Sequence, residues 1–587
     1  MMKKKIPFDK SHFIPLYLGI TGHRDIRNED RIILKEKIKD FILANQKQCP
    51  NTPVIILTPL AEGADRIAAE AAVECKVEFI AVLPMPIEEY KYDFVEPDSI
   101  QEFNRLAAMA YMLIELPIQD GITLIDIRNN NEKRNEQYYQ NGLFIARHCH
   151  TLIALWDGTN TGKKGGTSDV VRLKRSGIPG KFEDKSKRLH HLQTGPIYHI
   201  VTPRISNAVP KFPFKENITF PSHLGNDIEK AKKDRQMLDH IDAFNKDILK
   251  YESKLKLKIK KSANRLTRDY AGIENQQLLQ IIAKRHAITS ELASFFQQRR
   301  FVALKVLLSL VVLSFLFLHI NAEFFHNPLI LLLYPVTMGI GAIWFSIARK
   351  KHFENKHEDY RALAEAYRIQ FFLIACGKQD NVSDQYLKRH RGELEWVLYT
   401  LRTTFLFNLS SIHNLSVADY DYKIKVFNFL KKNWVDHQLE YFNDNTIKHS
   451  AASKKWETWA SRSFISAIIS ALLLSIVSLY AEIIYADFKF FEAAIHSILA
   501  CFTSVFLVLA AALHGYSDKM VFAEQSRNYQ QMAQLFELAS NKLTHAIETN
   551  DILEANDIIM ELAQEALIEN GDWLLLHRTR PMEIPKG

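Results

Sequence analysis

Val302–Ile320 reads VALKVLLSLVVLSFLFLHI and Leu329–Ala348 reads LILLLYPVTMGIGAIWFSIA. Each is about the length an α-helix needs to cross the hydrocarbon core of a bilayer, roughly 20 residues. Lys305 is the one charged residue in either stretch, near the start of the first, where a long side chain can snorkel to the headgroups. Between the two lies NAEFFHNP, a turn without Lys or Arg. Arg299 and Arg300 precede the pair, and Arg349, Lys350 and Lys351 follow it. This charge bias predicts a transmembrane hairpin, residues 302–320 and 329–348, with both ends in the cytoplasm and a short outside turn. The alternative, two buried helices of a large soluble core, fits poorly, because core helices rarely stay apolar on every face for so long.

A second pair of the same kind occurs at Phe464–Tyr485 and Ala493–Leu513. Glu482 sits at the outer end of its first member, Lys454, Lys455 and Arg462 precede the pair, Lys519 follows it, and the turn holds a single Lys489. The same orientation is predicted, so the chain has four transmembrane helices in two hairpins, with both termini cytoplasmic in a multi-pass protein of the inner (plasma) membrane. Each pair is followed by an amphipathic helix, Lys356–Cys376 and then Glu524–Leu543, and by a Trp-containing segment, RGELEWVLYTLR at 391–402 and QEALIENGDWLLLHRTR at 564–580. The unit of hairpin, amphipathic helix and Trp helix therefore repeats. The Trp helices read as packing devices, not as catalytic elements. Polar residues inside the spans are sparse (Thr337, Ser466, Ser470, Ser475, His496, Thr503 and Ser504), which argues against a charge-lined transport path through one chain and for subunit association.

The remainder of the 587 residues is soluble in character. Mean hydropathy is slightly negative and the formal charge is +8, a mild excess for this length. The five cysteines are scattered without a CxxC pair, so the sequence predicts neither a disulfide framework nor a zinc site. MMKKKIPFDK lacks a following apolar run and does not read as a signal peptide. The charged stretch Asp227–Arg300 carries apolar residues at helical intervals, with a basic run at Lys254–Arg268. That run reads as a solvated face near anionic lipid in preference to a nucleic-acid site.

Before it, residues 1–210 alternate strand, glycine loop and helix. Phe13–Ile20, Pro53–Thr58, Val77–Leu83, Thr151–Trp156 and Ile197–Thr202 read as strands. Helices are predicted at Glu29–Ala44, Arg66–Cys75 and Val170–Arg175. The pattern predicts a Rossmann-like, doubly wound parallel sheet. The fold class is thus multidomain: an N-terminal α/β domain, then an all-α membrane region with one module at 225–404 and a second at 405–587. In such sheets ligands sit beyond the carboxyl ends of the strands, and glycine loops let a phosphate approach the free N–H groups of the next helix. The candidate ligand-binding residues are Thr21, Gly22, His23 and Arg24 after the first strand, Glu62, Gly63 and Asp65 after the second, and Gly165, Gly166 and Thr167 after TLIALW. Asp65 and Asp169 also read as possible helix caps.

These loops resemble the SLOG superfamily, the Rossmann-like fold of the Smf DNA-processing proteins and the "lonely guy" phosphoribohydrolases. The likeness lies in LGITGHR at 18–24, LAEGADRIAAEAA at 60–72, AVLP at 81–84, and IALWDG and GGTSDVV within 153–171. It implies binding of a nucleotide-derived ligand, such as an ADP-ribose derivative or cyclic nucleotide. The phosphoribohydrolases resemble one another in a PGGxGTxxE loop with a catalytic Glu; here the loop is KKGGTSDVV, which implies binding without turnover and no catalytic residue. The repeated unit resembles the SLATT two-transmembrane modules through YRALAEAYRIQFFLIACG at 360–377 and ALIENGDWLLLHRTRP at 566–581. Together the two resemblances imply an oligomeric membrane effector of antiphage defence, as in CBASS and Thoeris, gated by a nucleotide second messenger from an enzyme encoded nearby. A membrane-anchored N-glycosidic hydrolase using Glu62 or Asp65, and a secondary transporter, are the competing expectations.

Overall fold

The computed structural model describes residues 12–119, 121–160, 165–177, 194–221, 227–268, 276–378, 381–386, 391–406, 420–483 and 489–578. The N-terminal basic segment, residues 161–164 of the third glycine loop, the turn of the second hairpin and residues 579–587 lie outside them. The chain forms two compact units: residues 1–267, 271–288 and 366–418, and residues 268–270, 289–365 and 419–587.

The first unit is built on β1 (Leu16–Gly22), α1 (Arg31–Gln48), β2 (Val54–Thr58), α2 (Ala64–Glu74), β3 (Glu78–Leu83), α3 (Ile87–Tyr90), α4 (Pro97–Met109), β4 (Met112–Glu115), α5 (Leu124–Asn129), α6 (Asn131–His148), β5 (Thr151–Trp156), α7 (Thr167–Ser176), β6 (Ile197–Val201) and β7 (Glu216–Thr219). The strands form one sheet in the order β4-β3-β2-β1-β5-β6-β7, parallel throughout except for the antiparallel β6–β7 pair. Short apolar runs such as VIILT and TLIALW are covered on both faces, as a parallel sheet requires. Leu16, Leu18 and Ile20 face one layer with Leu34, Ile38, Ile67 and Ala68, whereas Tyr17, Ile55 and Leu57 face a second with Ile145, Val170 and Leu173. The expected doubly wound sheet is therefore present, with β4, β7 and α3–α6 added to the elements legible in the sequence. The strand order reverses between β1 and β5, which makes that junction the switch point of the sheet.

The later helices are α8 (Asp227–Leu266), α9 (Gln276–Ile320), α10 (Pro328–Leu331), α11 (Leu333–Lys350), α12 (Phe353–Ala375), α13 (Val382–Gln385), α14 (Arg391–Phe405), α15 (Tyr420–Leu430), α16 (His437–Ile483), α17 (Lys489–Met520), α18 (Phe522–Glu548) and α19 (Ile552–Arg578). The stretch 225–404, read from sequence as one module, is shared between the two units. The reason is a polar clasp at the amino ends of the strands, where backbone groups have no further ladder partners. Asn245 of α8 accepts from Ile14 N (3.0 Å) and donates to Ile14 O (2.8 Å). Asp242 takes both the backbone amide (2.7 Å) and the side-chain amide (2.7 Å) of Asn51. Tyr399 of α14 accepts from Tyr17 N (2.9 Å) and donates to Pro15 O (3.0 Å). The buried Trp396 lies against His240 and Phe244 of α8.

In the second unit four helices are long and apolar enough to cross a membrane. The first predicted span ends where α9 ends, at Ile320, and the NAEFFHNP turn is formed by a π-helical turn, Asn321–Phe325, and Asn327, whose side chain caps the next helix at Leu329 N (2.9 Å). Ser314 and Thr337 join the two arms of the first hairpin (2.7 Å), and Ser470 bonds Leu499 O (3.0 Å) in the second. Each hydroxyl in the spans that has a described bond gives it to a helix carbonyl or to its partner helix. Side chains such as Ile343 (63% exposed) and Ile476 (61%) point outward, the reverse of what a soluble core would show. Lys305 does more than snorkel: its Nζ lies 6.0 Å from the centroid of the Tyr516 ring.

The two repeats interlock. Trp573 of α19 is buried, with Arg361 of α12 over its ring at 4.2 Å, and Asn570 donates to Ala362 O (3.1 Å). At the same level Arg300 pairs with Glu354 (2.7 Å) and lies 3.8 Å from Glu358, and Arg578 pairs with Asp359 (2.5 Å). Both Trp helices are thus packing elements, but against different partners.

Candidate functional site

The carboxyl end of β1 is the centre of the candidate site. Gly22 is paired with Leu155 of β5, and His23 N donates to Leu155 O (3.0 Å). A Cβ on Gly22 would lie 2.4 Å from Ala64 Cβ, so only glycine lets α2 start this close to the strand. Gly63 has φ +74°, and a Cβ there would meet His23 O at 2.4 Å and Arg24 O at 2.5 Å. The first two glycine loops are therefore in backbone contact, and Ala64 N donates to His23 O (3.1 Å). Leu60 holds a left-handed conformation (φ 59°), with its side chain fully buried and its amide bonded to Thr58 Oγ1 (3.2 Å).

His23 is buried, and its Nε2 accepts from the backbone amide of Asp157 (3.0 Å). An acceptor Nε2 requires the neutral ring with its proton on Nδ1. Burial pushes the pKa of His23 down, against the pull of Asp157, in agreement with that tautomer. His23 is thus a positioning residue that ties loop one to the loop after β5. The segment after β6 closes the same edge: Asp25 accepts from Ser206 Oγ (2.6 Å) and Arg204 Nε (3.1 Å), and Asn207 donates to Asp157 (2.9 Å).

The third loop enters α7. Gly165 (φ +73°) packs on the backbone of Tyr139, and its amide donates to Asp169 (3.3 Å), which also pairs with Arg172. Asp169 therefore pins the loop. Gly166 is the residue before the helix and Thr167 its first residue. Among the described residues the Ser168 hydroxyl is buried without a partner. The N-terminus of α7 thus presents backbone amides and hydroxyls at the switch point, the arrangement that receives anions.

Arg24 is the cation of this edge. It is 44% exposed, 3.7 Å from Asp93, and stacked over the Tyr138 ring at 5.2 Å. Its guanidinium also hydrogen-bonds the Tyr138 side chain, so the cation is anchored to α6 while part of it stays exposed. Thr21, the last residue but one of β1, is half-buried. Glu62 takes a different direction: it accepts from Ser99 of α4, which also receives Arg66 (3.0 Å). Asp65 lies in the first turn of α2, 6% exposed, and is not the helix cap; Gly63 holds that place. Burial pushes its carboxyl up to about 7, while Arg24 pulls it back.

The wall beyond Arg24 escaped sequence reasoning. Asp93, Tyr90 and Glu89 follow β3, and Arg134 and Tyr138 come from α6. Arg134 donates to Asp93 (2.6 Å) and to Glu89 O (3.2 Å), the Tyr138 hydroxyl bonds Asp93, and Arg128 pairs with Glu89 (2.8 Å). The signals were present as the polar runs EEYKYDF and NEKRNEQYY, but nothing local marks them as neighbours of TGHR.

Comparison with protein-family models, with curated proteins and with solved structures finds no match. The reading of the site rests on its own chemistry.

Proposed function

We propose that this chain is a membrane effector whose α/β unit senses a nucleotide-derived second messenger and whose helical hairpins, as a homo-oligomer, breach the bilayer in response. The observation that carries the reading is the meeting of the loops after β1, β2 and β5 at the switch point, with Arg24 partly exposed in the first of them, in a chain that also holds four membrane-length apolar helices. The likeness to SLOG and SLATT sequences supports the same assignment and a role in antiphage defence. A ligand shifts such an equilibrium only through different affinities for the closed and open states, so binding at the loops must be tighter in the open assembly.

The test is calorimetric titration of the full chain in nanodiscs with cyclic ADP-ribose isomers, ADP-ribose and cyclic dinucleotides, chromatography of the mixtures afterwards, and dye release from liposomes. Intact ligand, micromolar or tighter binding and ligand-dependent release are expected. Arg24→Ala and Gly166→Asp are expected to abolish binding while the protein still inserts. Normal binding by either variant would show the three-loop site to be misplaced, and consumption of ligand would favour N-glycosidic hydrolysis.

A further inference from the structure

The base of the membrane helices carries two lysines that no carboxylate answers. Lys305, the one charge in the first predicted span, is exposed, and its Nζ lies 6.0 Å from the centroid of the Tyr516 ring near the end of α17. Tyr516 is buried and meets Trp456 of α16 edge to face, with 4.8 Å between ring centroids and 62° between planes. Beside Trp456, Lys455 is exposed and holds its Nζ 5.7 Å from the indole ring. The two rings pack with Leu304 of α9 and Phe522 of α18, so the cluster fastens the first hairpin to the second. Among the described residues neither ammonium lies within ion-pair distance of a carboxylate, and the Tyr516 hydroxyl has no hydrogen-bond partner. Glu457, the nearest acid to Lys455 in sequence, accepts from Ser453 instead (2.5 Å). Both lysines thus stand at the outer limit of a cation–π contact, which leaves their donors and most of their charge unanswered.

These groups share one end of the spans. Lys305 is near the start of the first, Lys455 and Trp456 come before the third, and Tyr516 comes just after the last residue of the fourth, Leu513. That is the level of the headgroups, at the end predicted to face the cytoplasm. Tyr and Trp favour this depth, with an apolar ring against the chains and a polar tip in the wet layer. Basic groups between membrane helices at this level attract acidic headgroups. Going beyond the messenger reading, and resting only on the helices as membrane spans, we propose that this junction binds the headgroup of an anionic phospholipid, its negative charge taken up by Lys305 of the first hairpin and Lys455 of the second. Towards the bilayer the same two helices expose Leu313 and Phe464, apolar surface that acyl chains cover and a free phosphate would not. Because the site draws on both hairpins, bound lipid holds them together.

The experiment uses the full chain in dodecyl maltoside, without nucleotide, titrated with phosphatidylglycerol, phosphatidylcholine or free glycerol phosphate and read by native mass spectrometry and thermal unfolding. Phosphatidylglycerol is expected to bind and to raise the melting temperature, whereas phosphatidylcholine and glycerol phosphate do neither. The double variant Lys305→Gln, Lys455→Gln is expected to bind phosphatidylglycerol about tenfold or more weakly. Arginine at both positions should restore binding. Lys350→Gln, which removes an exposed cation of the same end outside the cluster, should leave it unchanged. Equal binding of the two lipids by the wild type overturns the site without reference to any variant. An equal loss in Lys350→Gln overturns it as well, because it marks a diffuse charged surface. Glycerol phosphate that matches the lipid overturns the lipid assignment. None of these outcomes touches the messenger reading, which the nucleotide titrations test separately.

Discussion

His23 Nε2 accepts a hydrogen bond from the backbone amide of Asp157 at 3.0 Å, across the junction at which the strand order of the sheet reverses. This bond joins the loop after β1 to the loop after β5 and needs a neutral imidazole. His23→Ala leaves the Asp157 amide without its acceptor and is expected to cost about 1–3 kcal/mol. Because the folded-state pKa of His23 is lowered, its contribution is full above about pH 6.5 and is lost as pH falls below that value. Denaturant titrations of wild type and His23→Ala should therefore converge towards pH 5 and separate at pH 7.5. A constant difference across that range would show that the ring's charge state is irrelevant.

Gly63→Ala and Gly158→Ala separate contact from conformation. Both positions have positive φ, +74° and +89°, so both substitutions carry a backbone cost of about 1–3 kcal/mol. Gly158 faces open space, whereas a Cβ at Gly63 meets two carbonyl oxygens of the first loop. Gly63→Ala should be the more damaging in thermal unfolding and should also abolish ligand binding. Equal effects would mean that the contact between the loops contributes nothing.

Asp65→Asn should stabilise the protein at pH 8 and have little effect at pH 4. A buried carboxyl whose pKa is raised to about 7 binds a proton in the folded state that the unfolded chain has released, so stability falls as pH rises from about 4 through 7. The difference at pH 8 is bounded by about 4 kcal/mol, at 1.36 kcal/mol per unit. Urea titrations at both pH values provide the check.

Glu358 in the second unit obeys the same rule. It is 1% exposed, 3.8 Å from Arg300, and burial pushes it up to about 8. Glu358→Gln should be neutral or stabilising at pH 8, whereas Arg300→Ala, which strips cation from both Glu354 and Glu358, should destabilise by about 3–5 kcal/mol. Trp573→Ala, which removes the ring under Arg361, falls in the same range of about 3–5 kcal/mol. If Arg300→Ala were harmless, the polar base of the helices would be a solvated surface and not a packed network.

Cysteine labelling resolves orientation. With native cysteines removed, a cysteine at Phe325 in the first turn should react with a membrane-impermeant maleimide added outside cells. One at Lys351 should react only after permeabilisation. The opposite pattern would reverse the proposed topology.

The sequence by itself determined the four spans and the β-strand, glycine-loop, helix rhythm. Both are local properties: twenty apolar residues satisfy a bilayer whatever surrounds them, and a glycine loop between a buried strand and a helix is written in consecutive residues. TLIALW and VIILT appear as strands within a residue of where they were read, and the first span ends at Ile320 as read. Only the tertiary structure decided which loops meet. Strand order brings TGHR against Gly63 and Asp157, and it brings Asp93 and Tyr138, distant in sequence, to Arg24. It also turned Glu62 towards Ser99 and claimed α8 and Tyr399 for the amino ends of the strands. The reason is that the state of a charge depends on its neighbours in space: Asp65 and Asp157 are both acids beside glycines at this sheet edge, yet burial pushes one pKa up and hydrogen bonds from the Thr159 amide and Asn207 hold the other down.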